Sequence, residues 1–136
     1  MTDYFNIDFY EDEIRKISNL GLAHLGDAVF ELMVRSWLCI HGKCTSRGLH
    51  SAAITYVSAP AQAKAVKKLF DMFTEEERDV FRRGRNAHVN SVPQRASLDE
   101  YHAATGLEAL FGYLYLKGKT DRLNELFAEI MKEQEL

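Results

Sequence analysis

The chain has only two cysteines in 136 residues, Cys39 and Cys44, too few for a disulfide framework and in keeping with a reducing compartment. Long hydrophobic runs are missing too. The N-terminal MTDYFNIDFYEDE is acidic and broken, without the basic start and apolar stretch of a secretory leader, and no later segment is uninterrupted enough to span a bilayer. A cytoplasmic protein with no membrane partner is expected. Strand-period alternation is nowhere sustained, which argues against a sheet protein. There is no internal repeat and no low-complexity tract.

What is present has the size and apolar content of one compact domain, 46% hydrophobic and 27% charged. Apolar residues recur at helical spacing from Leu20 to the C-terminus, so the expected class is all-α, with residues 1–19 as an N-terminal extension. Thr74 with Glu77 and Ser97 with Glu100 fit capping boxes, Pro60 suits a first helical turn, and Gly42 and Gly118 suit helix ends. The pattern predicts helices over 20–40, 46–57, 60–71, 74–84, 98–117 and 120–134, with a short helix around Glu11 to Ser18. One long irregular connection, Gly84 to Ala96, remains, and long loops in small domains are often functional.

The net charge of −3 argues weakly against a nucleic-acid partner, but it hides a polarised chain. Residues 64–95 hold eight bases against five acids, a net +3, which leaves −6 for the remainder.

Two acids sit oddly. In LAHLGDAVFELMVR, residues 22–35, the residues Leu22, Leu25, Val29, Leu32 and Met33 follow one apolar helical face, yet Gly26 and Asp27 stand side by side in the middle. Asp27, Glu31 and Arg35 recur at four-residue steps with His24 beside them, which by itself reads as an exposed Glu31–Arg35 pair with Asp27 as its neighbour. In YHAATGLEALFGYLYLKG, residues 101–118, Glu108 is the one charge between His102 and Lys117 and lies among Ala104, Leu107, Leu110, Phe111 and Leu114. A buried carboxylate requires compensation by an arginine, a proton or a metal ion. If the two helices pack together, Asp27 and Glu108 converge as interior ligands of a hard cation such as Mg²⁺, and Gly26 relieves crowding between the backbones.

These segments carry a resemblance. LAHLGDAVFELMVR resembles the signature helix of the ribonuclease III catalytic domain, and ATGLEALFGYLYL is similar to its second metal-binding helix. Taken in order, LAHLGDAVFE, VSAPAQA, FTEEERDVFRRGRNA and YHAATGLEALFGYLYL resemble the Mini-ribonuclease III branch of that family, over nearly the whole chain from Leu20 to about Arg122. The resemblance implies an all-helical endonuclease domain, homodimeric, spanning 1–136. It leaves no chain for the double-stranded RNA-binding domain of the longer enzymes. It also implies an endoribonuclease that uses Mg²⁺, with Mn²⁺ as a substitute, to cut double-stranded RNA into 5′-phosphate and 3′-hydroxyl ends. The implied substrate is precursor 23S ribosomal RNA, with a ribosomal protein as an assisting partner. Asp27 and Glu108 are the implied catalytic and metal-binding residues; Ala23 and Thr105 stand where two further family acids are usual. Those two replacements keep open a competing reading, a non-catalytic RNA-binding or ribosome-associated relative.

Without a separate binding domain, RNA affinity has to come from Lys and Arg on the catalytic domain. FRRGRNAHVN supplies Arg82, Arg83, Arg85 and Asn86 as candidate RNA contacts; the plainer reading pairs these arginines with acids such as Glu75 to Glu77 and the helix C-terminus. Lys64, Lys67 and Lys68 read equally well as an extension of that surface or as a solvated face. The run Cys39-Ile-His41-Gly-Lys-Cys44, with His50 after it, matches no strong zinc spacing. His24 and His88 read more readily as hydrogen-bonded surface groups than as site residues. Trp37, Phe111, Tyr113 and Tyr115 read as core or dimer-interface aromatics.

Overall fold

Five hydroxyl residues each precede a helix and accept a backbone N–H three residues on: Ser18 from Gly21 at 2.9 Å, Thr45 from Gly48 at 3.0 Å, Ser58 from Ala61 at 3.4 Å, Thr74 from Glu77 and Ser97 from Glu100 at 3.1 Å. Each bond satisfies an N–H that the first helical turn cannot. At Thr74 and Ser97 the glutamate returns the bond to the cap residue's N–H, completing both expected capping boxes.

The computed structural model describes residues 1–42, 45–87 and 97–132. Among them the helices are α1 (Glu11–Ile14), α2 (Asn19–Ile40), α3 (Ser46–Val57), α4 (Ala59–Leu69), α5 (Glu75–Arg85), α6 (Leu98–Leu116) and α7 (Thr120–Met131), with a 3-10 turn at Phe70–Met72. The all-α expectation holds. The first helix is shorter than the sequence suggested, and the segment expected to run to residue 71 tightens into the 3-10 turn after Leu69. Gly42 and Gly118 end their helices with φ of +89° and +70°, conformations that a Cβ would strain. Most of the connection after Gly84, including His88 and Arg95, lies outside the described residues, as do Lys43, Cys44 and the last two positions of the expected final helix. None of the described helices is long and apolar enough to cross a membrane.

Helix α6 is the axis of the fold. From Ala104 to Leu116 it is buried on nearly every side, with Glu108 and Tyr115 the partly exposed exceptions, and α2, α5 and α4 pack around it. The crossing with α2 is a backbone contact. A Cβ on Gly26 would overlap the Glu108 carbonyl oxygen, and one on Gly112 would overlap that of Leu22. As α2 advances from Leu22 to Gly26 its neighbour retreats from Gly112 to Glu108, so the helices run antiparallel. A similar small-residue seam joins α5 to α6, where Gly84 faces Gly106 and Ala109.

This close approach corrects the face expected of α2. Its buried stripe is Leu22, Ala23, Gly26, Phe30, Val34 and Leu38; Leu25, Val29 and Met33 are only half-buried, and Leu32 is exposed. Hydrophobicity placed the bulky residues inward, but contact at backbone distance selects the small ones. Around the crossing, Phe30 meets Phe111 and Phe127 edge-on with centroids 5.5 and 6.1 Å apart, and Phe70, Phe73 and Phe81 form a second aromatic cluster. Trp37 and Tyr115 pack against the core, while Phe111 and Tyr113 lie within it.

Glu77, only 5% exposed, meets Arg122 through two bonds of 2.8 Å, and Arg122 also donates to the Met72 carbonyl at 2.7 Å. Burial alone would push the Glu77 carboxyl up, but Arg122 and the Thr74 cap hold it below the usual range.

Because the α2–α6 contact leaves no room for a methyl group, Gly26→Ala is expected to destabilise the protein by about 3 kcal/mol or more, at or beyond the usual range for overpacking. Denaturant unfolding measures this. A loss below about 1 kcal/mol, the ordinary helix-propensity scale, would show that the backbones separate at little cost.

Candidate active site

The contact that requires Gly26 also creates the site. Gly26 lies against the Glu108 backbone, and Asp27 is the next residue, so the side chains of Asp27 and Glu108 come into direct contact across the crossing. The expected convergence of the two acids is present.

Their burial differs from expectation. Asp27 is exposed, because α2 turns its Gly26 edge toward α6 and leaves the next position at the solvent boundary. Glu108 is largely buried. Desolvation and then the Asp27 charge push the Glu108 carboxyl up to about 8, with the Gln62 amide acting weakly the other way. The sequence allowed an arginine, a proton or a metal ion as the compensating group for this acid. Among the described residues no Lys or Arg pairs with Glu108.

Gln62 of α4 was quoted in the sequence motif VSAPAQA but not singled out. It is 1% exposed, and its Nε2 donates to the Val57 carbonyl at 2.9 Å and to Glu108 Oε2 at 3.3 Å. The available signal was a lone amide in an otherwise apolar stripe with Ala65, Val66 and Leu69. Thr105 is buried and donates to the Tyr101 carbonyl at 3.0 Å, so its hydroxyl serves its own helix. Ala23 is buried and apolar.

Among the described residues no cluster of three or more His, Cys, Asp or Glu side chains could hold a metal ion, and Asp27 and Glu108 are a pair of carboxylates. That donor set still suits Mg²⁺ or Mn²⁺: the oxygens are hard donors, the inner carboxylate has no cationic neighbour among the described residues, and Mg²⁺ is commonly held by one or two carboxylates while keeping several waters. Asp27 and Glu108 would hold the ion.

Arg82, Arg83 and Asn86 are exposed at the C-terminal end of α5, and Arg85 is half-buried. This end crosses α6 at Thr105, Gly106 and Ala109, adjacent to Glu108 in the helix. The plain reading that pairs these arginines with Glu75 to Glu77 does not hold for two of the three acids. Glu76 accepts from Tyr113 and Lys117, and Glu77 is committed to Arg122. Arg83 instead meets Asp79 at 3.2 Å, an exposed pair, and Arg85 lies over the Phe81 ring at 5.7 Å while donating to Asn86 at 3.4 Å. Arg83, Asn86 and Ala87 join Ser18, Asn19 and Leu20 around an open cavity of about 480 Å³. Elsewhere, His24 is exposed, and His41 stacks on Trp37 with centroids 4.0 Å apart. Glu31 and Arg35 form the expected pair at 2.9 Å.

The Ribonuclease III domain family model matches residues 20–119. A Mini-ribonuclease 3 from Thermoanaerobacter is 40% identical over 126 residues, covering 90% of this chain and 89% of that protein. One from Symbiobacterium thermophilum is 49% identical over 107 residues, covering 79% and 82%. A crystal structure of a Fusobacterium nucleatum protein superposes with a TM-score of 0.82 at 31% identity, covering 89% of this chain and 93% of the other.

The raised Glu108 carboxyl has a consequence for stability. A folded-state pKa above the unfolded value stabilises fully below the unfolded value, near 4.5, and that stabilisation is lost as pH rises toward about 8. In the absence of divalent ions, Glu108→Gln is therefore expected to melt progressively higher than the unmodified protein between pH 5 and 9, with a gain of several kcal/mol at the alkaline end. Melting curves across that range give the answer. A difference independent of pH would mean that the Glu108 charge is not strained by its surroundings.

Proposed function

The chain belongs to the ribonuclease III family, and from that premise we propose that Asp27 and Glu108 are the catalytic pair of a Mg²⁺-dependent enzyme that matures precursor 23S ribosomal RNA. Family membership makes it an endoribonuclease of double-stranded RNA. The observation that carries the finer reading is the direct contact of two carboxylates from different helices, the inner one largely buried without a cation beside it.

Asp27 and Glu108 would hold a divalent ion, Mg²⁺ or Mn²⁺ in its place, which when bound would supply Lewis acidity toward water and the phosphate oxygens. Asp27, exposed at the edge of α2, faces the side from which a duplex arrives. Glu108, set deeper, contributes an oxygen shielded from water, where charge interactions are stronger. Hydrolysis leaves 5′-phosphate and 3′-hydroxyl ends. Arg82, Arg83, Arg85 and Asn86 provide donors for backbone phosphates and 2′-hydroxyls, a mode that reads duplex shape rather than sequence. Arg83 exchanges its weak exposed pair with Asp79 for phosphate.

The working unit is a homodimer, each site cutting one strand. Its physical support is exposed apolar side chains, Leu32 58%, Leu98 56% and Leu20 40% exposed, of which Leu32 shares a face of α2 with the half-buried Leu25 and Val29. The compartment is the cytoplasm, and a ribosomal protein assists by presenting the RNA.

Cleavage of a long structured duplex, with and without Mg²⁺, tests this reading. Cutting is expected only with the ion, and Asp27→Asn and Glu108→Gln, both folded, are expected to lose at least about 100-fold in rate, as when a charge-stabilising group is removed. Intact duplex binding without cutting under any metal would instead identify an RNA-binding relative. Replacing Arg82 and Arg83 together by Gln is expected to weaken duplex binding and to reduce the slope of log affinity against log salt by about 1 to 2, one phosphate contact per arginine. An unchanged slope in that variant would remove both residues from the interface.

A further inference from the structure

Gln62 spans three helices. It belongs to α4, its side chain satisfies the carbonyl of Val57 at the end of α3, and the same amide nitrogen reaches Glu108 on α6. Its other end is unusual: Oε1 is fully buried and has no hydrogen-bond partner among the described residues. A buried acceptor without a donor is a standing cost that an apolar side chain of the same length would avoid. The Val57 bond accounts for a donor at this position; it leaves the second bond of the same nitrogen, to Glu108, unaccounted for.

The orientation of the amide follows from chemistry. The Val57 carbonyl can only accept, so Gln62 must turn its NH₂ toward it, and that group's second hydrogen is left for Glu108 Oε2. Glu108 thus meets a donor whose direction is fixed from elsewhere and which carries no charge. A lysine or arginine in this place would neutralise the carboxylate and compete with any cation; the amide orients it without doing so. No other described residue takes this part. Thr105 gives its hydroxyl hydrogen to Tyr101, and Ala23 has no donor.

We propose that Gln62 is a positioning residue of the site: its amide, locked by the Val57 carbonyl, holds Glu108 by Oε2 and leaves Oε1 free for a divalent cation shared with Asp27. The proposal rests on the reading of Asp27 and Glu108 as metal ligands. It places in α4 an orienting group for a site whose ligands come from α2 and α6, and it gives a two-carboxylate site the rigidity that further acids would otherwise supply.

The test uses the full chain freed of metal. Mn²⁺ affinity is measured by titration calorimetry for the unmodified protein, Gln62→Met, Gln62→Asn and Asp27→Asn, with circular dichroism to confirm folding and with kcat and KM for duplex cleavage. Methionine keeps the length and burial of Gln62 but has no donor; asparagine keeps the amide but falls one methylene short. Both are expected to raise the Mn²⁺ dissociation constant about ten-fold or more, as the loss of a group orienting a ligand does, and to lower kcat with little change in KM for RNA. A purely structural glutamine predicts that the methionine variant loses stability but keeps the Mn²⁺ affinity and kcat of the unmodified protein. If Gln62→Met folds and keeps its Mn²⁺ affinity and kcat, while the unmodified protein binds Mn²⁺ and Asp27→Asn does not, the proposal is overturned and the ligand reading stands. Should the methionine variant not fold, the asparagine variant decides by the same measurements. An unmodified protein that takes up no Mn²⁺, or an Asp27→Asn variant that binds it equally well, overturns the ligand reading and the proposal together.

Discussion

The rest of the structure depends on the approach of α2 to α6 at backbone distance. Gly26 and Gly112 form the two sides of that contact, and neither position has room for a methyl group. Such closeness is favourable because it lets Phe30, Val34 and Leu38 reach deep into the core, Phe30 against Phe111, while the two backbones touch. A helix-weakening glycine inside α2 costs roughly 1 kcal/mol relative to alanine, and the packing it permits outweighs that cost. The arrangement also determines which residues follow: once Gly26 lies on Glu108, Asp27 has to stand beside its side chain.

The site therefore follows from the packing. A carboxylate on the central helix is unfavourable, and the fold gives Glu108 a neutral amide and a second negative charge rather than a cation. That choice keeps the pair electrostatically unsatisfied, which is the condition under which a divalent ion binds well. The contrast with Glu77 is instructive. Glu77 is 5% exposed, but Arg122 and the Thr74 cap satisfy it, and it ties α5 to α7 rather than holding a ligand. One acid is compensated from within the chain and the other is left for something from outside.

The same division appears among the basic residues. Lys117 and Arg122 are engaged with Glu11, Glu76 and Glu77, which joins the N-terminal segment, α5 and the ends of α6 and α7. Arg82 and Arg83, at the other end of α5, are exposed; Arg83 has only the weak Asp79 pair. The N-terminal end of α5 thus gathers bases that hold the fold, and its C-terminal end offers bases to solvent. Two acids that could have quenched the second group, Glu76 and Glu77, are occupied elsewhere.

Much of this was legible in the sequence, and the limits are physical. Helix periodicity, the Thr74 and Ser97 capping boxes, Pro60, Gly42 and Gly118 are local signals, and each did in the fold what its chemistry implied. The ordered motifs identified the family, and the isolation of Glu108 among apolar residues marked it as an acid in need of a partner. The exposed edge of Asp27, the inward turn of Ala23 and Gly26 in place of Leu25 and Leu32, and the reach of Gln62 from one helix to another were not legible. Each depends on which face of α2 meets α6 and how closely, and that is settled by side-chain volumes on both helices at once. A sequence lists what each residue can do by itself and with its near neighbours; only the tertiary structure decided which of those capacities were brought within a few ångströms of one another.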